Sequence, residues 1–403
     1  MSVDELLANH NCCTRCLGRT DPSVGETDMD SSITTAEDKY AELLDQTVPP
    51  AECDICQGSV ERSLAVAERL ISKLSSLEFD TFLVGCSLAD HLEKSDKILS
   101  EYVDDYQDLK FEIRKEVGLR VVNALGKEVD FQYPDITVLI DTSSYRFELD
   151  IRSLYILGRY KKLTRGIPQT KWPCSNCRGK GCASCNQTGQ QYPKTVETII
   201  SPYFMEKSNA RGASFHGAGR EDIDALMLGT GRPFVLELKE PQFREIDLQE
   251  AESVINAQDD VKINDLRFCD KDTIVFLKEG SPNASKTYRA LVEVEREIDA
   301  DDILDINRFG STPHILEQRT PTRVNHRRVD KVREKSIYGV RAKPVDDHHL
   351  ELDISAQGGA YIKEFISSDE GRTSPSIAEI LSSPAVCTEL DVIAVDDRGL
   401  FSS

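Results

Sequence analysis

The sequence predicts an α+β protein: an N-terminal four-cysteine module, a small α/β domain behind it, and a larger mixed-sheet domain. Three observations predict this. Eight of the twelve cysteines fall into four Cys-x-x-Cys pairs. Between Val60 and Ile151 apolar residues at helical spacing give way to alternating ones. From about Lys194 onward, short apolar runs read as strands around a loop rich in glycine and carboxylates. At 403 residues the chain is too long for one ordinary core, and its 39% hydrophobic content is enough to pack more than one.

The divisions expected are residues 1–59, 60–170 and 171–403. In the first, Cys13 and Cys16 precede a polar stretch from Asp21 to Ser32, read as a surface loop, and then Cys53 and Cys56. Two such knuckles can place four thiolates around one zinc ion, and four sulfurs leave no open position for a substrate. Redox chemistry would want a single pair. In the second, Val60 to Leu77 has helical spacing and Thr81 to Cys86 is a short apolar strand. Ala89 to Gly126 reads as one or two charged helices, and Ile136 to Ile151 as two strands around a polar turn. The run Ser153 to Trp172 interleaves aromatic and basic residues, as an RNA track would, although a helix end with solvated charges fits it too.

The third division holds the tightest cysteine cluster, Cys174, Cys177, Cys182 and Cys185, in CSNCRGKGCASC. Glycines between the knuckles permit the sharp reversals that a tetrahedral zinc site needs. Glu197 to Met205 reads as a buried helix or strand. Strand candidates follow at Phe234 to Leu238, Thr273 to Leu277, Tyr288 to Val294, Leu350 to Ile354 and Val392 to Val395, and the tail from Gly399 is expected to fray. Cys12, Cys86, Cys269 and Cys387 are left over and read as small hydrophobes.

The net charge is −21, which argues against a nucleic-acid partner at first sight. The charge is unevenly spread, however. Acidic residues crowd into 26–52 and 295–305, while basic ones gather at 152–180 and 319–343. An acidic solvated surface adapted to a salty cytoplasm, with basic patches kept for RNA, fits this distribution; a simple acidic protein without RNA is the alternative. The run 319–343 reads as an irregular loop gripping RNA, with His326 as a phosphate or base contact. No apolar run is long enough to span a bilayer, and the N-terminus lacks a signal peptide's layout, so a cytoplasmic chain is expected.

The stretch FHGAGREDIDALMLGTGRPF, residues 215–234, carries the chemistry. It has neither a Gly-Lys-Ser/Thr ending nor a Gly-x-Gly-x-x-Gly after a strand, so a nucleotide cofactor is not expected. What remains is a glycine-shaped loop presenting Glu221, Asp222 and Asp224 beside Arg220; a solvated acidic turn is the plain alternative.

Gly-Arg-Glu-Asp, followed by Ile-Asp-Ala and Met-Leu-Gly-x-Gly-Arg-Pro-Phe, resembles the catalytic loop of the archaeal and eukaryotic tRNA pseudouridine synthases that modify uridines 54 and 55 of the TΨC arm. The resemblance extends over most of the chain. It takes in the N-terminal Cys-x-x-Cys pairs, an α/β segment similar to a THUMP RNA-binding domain, the Arg-Gly-Ile-Pro-Gln-Thr-Lys-Trp run and the second cysteine cluster. It implies that Asp222 is the nucleophile, that Tyr288 stacks on the target base, and that Tyr361, Ile362, Lys363 and Leu390 line the same pocket. It also implies a tRNA partner, no cofactor for catalysis, structural zinc, and a monomer as the default. One departure stands out. Leu226 occupies a position where relatives usually carry arginine, so another cation is needed, and Arg220 and Arg232 are the nearest in sequence.

The chemistry agrees. Isomerising uridine breaks the N1–C1′ bond, turns the base and rejoins it through C5. An ionised aspartate can add and later leave without a cofactor, and a nearby arginine favours the ionised state. The base must first be unstacked, at a cost of a few kcal/mol, which a tyrosine face partly offsets. Two other classes fit parts of the sequence: a different THUMP-type tRNA-modifying enzyme, and a zinc-stabilised RNA-binding protein without catalysis. The first lacks a methyl-donor or nucleotide fingerprint here, and the second has no need of Asp222.

Overall fold

The computed structural model describes residues 2–21, 32–280, 284–324, 329–396, 399 and 401. Most of the polar stretch from Asp21 to Ser32, and His326, therefore lie outside the described residues. The chain divides into two compact units, residues 1–153 with 239–245, and residues 154–238 with 246–403.

In the first unit the Val3–Asn9 helix starts at Ser2, whose hydroxyl accepts from the Glu5 N–H while Glu5 caps back. The Ser59–Leu74 helix buries Val60, Ser63, Ala67, Leu70 and Leu74, the three-to-four spacing seen in the sequence. Of the one or two helices expected between 89 and 126, two form, Asp90–Asp96 and Leu109–Leu125. The second begins at the Asp108 cap and ends at Gly126 in the left-handed region. The strands are β1 (Thr81–Ser87), β2 (Glu128–Val129), β3 (Ile136–Asp141) and β4 (Arg146–Ile151), in the order β2-β1-β3-β4. The four-cysteine module shares one apolar core with this sheet, so residues 1–59 do not stand apart from it.

The second unit is built on a 10-stranded sheet. Its strands are β5 (Leu154–Lys162), β6 (Gly212–Gly217), β7 (Leu226–Lys239), β8 (Val261–Cys269), β9 (Ser285–Val294), β10 (His314–Arg319), β11 (Val332–Asp346), β12 (His349–Gln357), β13 (Thr373–Ser374) and β14 (Ala385–Val395). They run in the order β13-β10-β11-β12-β9-β14-β7-β5-β8, with β6 paired to β7. The join between β14 and β7 is parallel, through Asp391 opposite Leu226 and Val392 opposite Met227, whereas β14 and β9 are antiparallel.

Several sequence expectations change here. β5 pairs with β7 and β8, so the boundary expected after residue 170 falls before Leu154. Tyr160 and Lys162, expected along an RNA track, are wholly buried. Residues 273–277 lie in the Asp272–Gly280 helix, not a strand; a short apolar run fits either period, and Val275 and Phe276 remain half exposed. Much of the basic run expected as a loop is strand β11. Cys12 is fully buried, while Cys86, Cys269 and Cys387 are partly exposed. Burial pushes each of those three thiols up to about 11 and keeps it protonated near neutral pH. Among the described residues no helix is long and apolar enough to cross a membrane.

Gly229 shows how tightly β7 meets β14. Its φ is +59°, and a Cβ there would sit 1.8 Å from the Ile393 carbonyl oxygen. Gly229→Ala should therefore destabilise the second unit by about 1–3 kcal/mol, read as a fall of roughly 2–4 °C in melting temperature for each kcal/mol lost.

Candidate active site

Asp222 stands on the loop between β6 and β7, and that loop is held from below by a buried polar network. Glu221 points inward. Its carboxylate accepts from Arg232 Nε at 2.9 Å and from the Tyr160 hydroxyl at 2.9 and 3.1 Å. Gln169 Nε2 donates to the Tyr160 oxygen at 2.8 Å and to the Gly219 carbonyl at 2.9 Å. Arg232 Nη1 donates to the Ala218 carbonyl at 2.8 Å, and Lys162 Nζ to the carbonyls of Ile167, Asp222 and Ile223 at 2.9–3.2 Å. Each charged side chain of this network thus has partners, as burial of an ion pair demands. Burial lowers the pKa of Lys162; burial and then the Glu221 charge raise that of Tyr160.

With Glu221 turned in, Asp222 turns out. Its side chain is 44% exposed and borders a cavity of about 460 Å³. The expected site residues Arg220, Tyr288, Tyr361, Ile362, Lys363 and Leu390 all line this cavity. Strand register explains the convergence. Ala290 on β9 lies opposite Leu390 on β14, and Tyr288 lies opposite Val392, beside the β14–β7 join where the Asp222 loop ends. Tyr361 sits just before the Ile362–Ser367 helix. Its backbone is clamped by the buried Gln318, whose amide accepts from the Tyr361 N–H at 2.9 Å and donates to the Tyr361 carbonyl at 3.0 Å.

The cation beside Asp222 is one that sequence proximity did not reveal. Arg323 Nη1 lies 3.4 Å from Asp222 Oδ2, and Arg323 Nε donates to the buried Glu364 at 2.7 Å. Neither nearby arginine takes that place: Arg232 is bound to Glu221, and Arg220 lies over the Trp172 ring. Lys363 pairs with Asp224 at 2.8 Å. Burial would push Asp224 up, but Lys363 holds it below the usual carboxylate range. At Leu226 the backbone N–H donates to Asp391 Oδ1, which Arg165 also reaches at 2.7 Å. Arg323 lay within the basic run noted in the sequence, but only the fold carries it to Asp222. Lys286, Arg333 and Lys335 also line the cavity, so cations outnumber carboxylates there in a chain of charge −21.

Two groups of cysteines are not among the residues that line this cavity. Cys13, Cys16, Cys53 and Cys56 form one, and Cys174, Cys177, Cys182 and Cys185 the other. In each the four sulfurs lie within 4.8 Å of one another, so each could hold a metal ion. Backbone N–H groups point at the sulfurs, from Cys13 to Cys53 at 3.4 Å and from Gly181 to Cys177 at 3.2 Å.

Comparison with known proteins gives the family. The family described as Pus10, C-terminal, matches residues 155–396, and the one described as Pus10 THUMP domain, archaeal, matches residues 66–141. The chain belongs to the Pus10 family. A tRNA pseudouridine synthase Pus10 from Methanothermobacter marburgensis is 43% identical over 86% of this chain and 86% of its own length. The Methanocaldococcus jannaschii protein of the same name is 42% identical over 89% and 78%, and that of Halorubrum lacusprofundi 37% identical over 95% and 93%. A solved Cbf5-Nop10-Gar1 complex aligns over 59% of this chain and 48% of that one, at 16% identity and a TM-score of 0.31.

One cavity residue of this Pus10-family chain makes its burial measurable. Burial, then the Arg232 charge, lower Lys286 to about 7, against an ordinary 10.5. Between those values the unfolded chain holds a proton that the folded chain has lost, so stability rises with pH across that window and carries a constant penalty below it. Denaturant midpoints compared from pH 6 to 10 should rise more steeply for wild type than for Lys286→Met.

Proposed function

We propose that this Pus10-family pseudouridine synthase converts uridine to pseudouridine at positions 54 and 55 of the tRNA TΨC arm, with Asp222 as nucleophile. The observation that carries the reading is the seat of Asp222: an exposed carboxylate beside an arginine, at a cavity lined by Tyr288, Ile362 and Leu390. The apolar surface and the tyrosine face suit an unstacked base, and the surrounding cations suit the phosphates on either side of it. In this reading Arg323 aims the Asp222 carboxylate, and Glu364 keeps Arg323 in place. The carboxylate adds to the nucleoside as the N1–C1′ bond breaks. The detached uracil turns against Tyr288 without escaping, and C5 bonds to C1′ as the Asp222 carboxylate leaves. The C5 proton is lost and N1 gains one, so the product is an isomer and nothing is consumed.

The cysteine groups serve as structural zinc sites in the same proposal. Zn–S bonds of about 2.3 Å give a tetrahedron with edges of roughly 3.8 Å. The sulfur separations, 3.6 Å for Cys13 to Cys56 and 3.7–3.9 Å within the second group, fit it. Bound zinc would fix the loops that carry these residues and take no part in the reaction. The protein acts as a monomer in the cytoplasm, with tRNA as its partner.

The direct test incubates wild type and Asp222→Asn with an unmodified tRNA transcript in high-salt buffer, without nucleotide or methyl donor, and maps pseudouridine by carbodiimide primer extension. Stops at 54 and 55 are expected with wild type and not with the variant. Wild type that binds tRNA but leaves no stop would sink the proposal. Arg323→Met, which removes a charge-assisted bond, should slow single-turnover conversion at saturating tRNA by roughly 10- to 100-fold, with Arg323→Lys recovering part of the loss.

A further inference from the structure

Asp222 does not border one cavity only. A second, of about 270 Å³, also borders Asp222 and is lined by Pro168, Gln169, Thr170 and Trp172, together with Asp224. The two cavities share Arg220, Glu221, Asp222, Arg323 and Lys363, so Asp222 stands in the wall between them. The second cavity takes no part in the chemistry described above.

Three features make it a built site. Trp172 is the only tryptophan of the chain, and it is half-buried on a braced loop. The Gln191 N–H donates to its carbonyl at 2.9 Å, Pro173 bridges to Gln190, and Tyr192 meets its ring edge-on at 5.7 Å. The second cysteine group begins two residues later, at Cys174, whose N–H donates to the Gly189 carbonyl at 2.7 Å. Next, the Arg220 guanidinium lies 5.8 Å from the centre of the Trp172 ring, is exposed, and makes no ion pair among the described residues. Its fork of donors is therefore open to an oxyanion, in a form suited to phosphate. Finally, the acidic groups around it are already engaged: Glu221 with Arg232, Asp224 with Lys363, and Asp222 with Arg323.

Connectivity then points to the occupant. If the target base enters the larger cavity, its ribose must rest at Asp222, because the bond exchanged is at C1′. The polynucleotide leaves that ribose in both directions, so a neighbouring nucleotide has to pass the side of Asp222 away from the target base. Resting on the synthase reading above, we propose that the second cavity is a subsite for the nucleotide adjacent to the target uridine, with Trp172 as the stacking surface for its base and Arg220 as its phosphate contact. Base-on-aromatic stacking tolerates any base, so the subsite measures whether a neighbour is unstacked, not which base it is. Its requirement is a run of at least two nucleotides drawn out of the RNA stack.

The sole tryptophan makes the test direct. Asp222→Asn, which leaves the RNA unmodified in the proposed mechanism, is titrated with a TΨC-arm stem-loop while Trp172 fluorescence is followed. Three further RNAs carry an abasic nucleotide 5′ to the target, 3′ to it, or at a remote loop position. Quenching is expected with the intact arm and with the remote abasic arm, and is lost when one of the two neighbouring bases is missing. In binding assays Trp172→Ala should weaken the intact arm roughly tenfold and Trp172→Phe much less, and the Ala penalty should vanish on the arm lacking that neighbour. Absence of quenching with the intact arm, quenching that ignores both neighbouring abasic sites, or an Ala penalty that persists on both of those arms would overturn the subsite. The two proposals fail separately. Neighbour-dependent quenching without pseudouridine from wild type would leave the subsite standing and remove the synthase reading, and pseudouridine without such quenching would do the reverse.

Discussion

The buried ion pair between Glu221 and Arg232 is the constraint on which the site depends. Both side chains are 1% exposed. Removing either partner would strand an uncompensated charge in the interior, a far larger cost than the pair's net worth. The remaining valences are met by Tyr160, Ala218 and, at 3.8 Å, Lys162. This arrangement divides a run of two adjacent carboxylates into opposite roles. Glu221 is consumed by the interior, and its neighbour is left facing solvent with a pinned backbone. The carboxylate best supported by hydrogen bonds is therefore the one unavailable for chemistry.

The same use of buried guanidinium recurs in the first unit, around the N-terminal cysteines. Arg19 is wholly buried. It donates to the Gln107 carbonyl at 2.9 Å and to Cys16 Sγ at 3.4 Å, and it pairs with Asp96. Asp96 in turn accepts from the Leu109 N–H, where a long helix starts. Arg15 bonds Glu112 on that helix at 2.7 Å. These contacts join the cysteine module to the α/β sheet more firmly than the cysteine spacing implied, and explain why the two share a core.

Charge is arranged with equal economy. The chain is strongly acidic, yet the cavity beside Asp222 collects Arg220, Arg232, Lys286, Arg323, Arg333, Lys335 and Lys363. These come from the Asp222 loop, β7, β9, the segment after β10, β11 and the Ile362–Ser367 helix. Such a gathering of cations favours a polyanion at this cavity in a chain that is acidic as a whole.

The sequence alone determined what depends on local spacing. The cysteine pairs, the helical period from Val60 to Leu74, the strands around Tyr288 and Leu352, and the Gly-Arg-Glu-Asp loop are all short-range patterns, legible without a fold. So were the contiguous motifs that carry the candidate site residues, which the structure brings to one cavity. Three things were not legible, each for a physical reason. The fate of Tyr160 and Lys162 depends on both faces of β5 being covered, which an aromatic and basic composition does not disclose. The run 273–277 was ambiguous because four consecutive apolar residues, Ile274 to Leu277, satisfy either period. The partner of Asp222 was misplaced because nearness in sequence is no guide to nearness across a sheet: Arg323 lies about a hundred residues from Asp222, and only the tertiary structure, by seating the Ile362–Ser367 helix with Glu364 beneath Arg323, decided which cation the carboxylate meets.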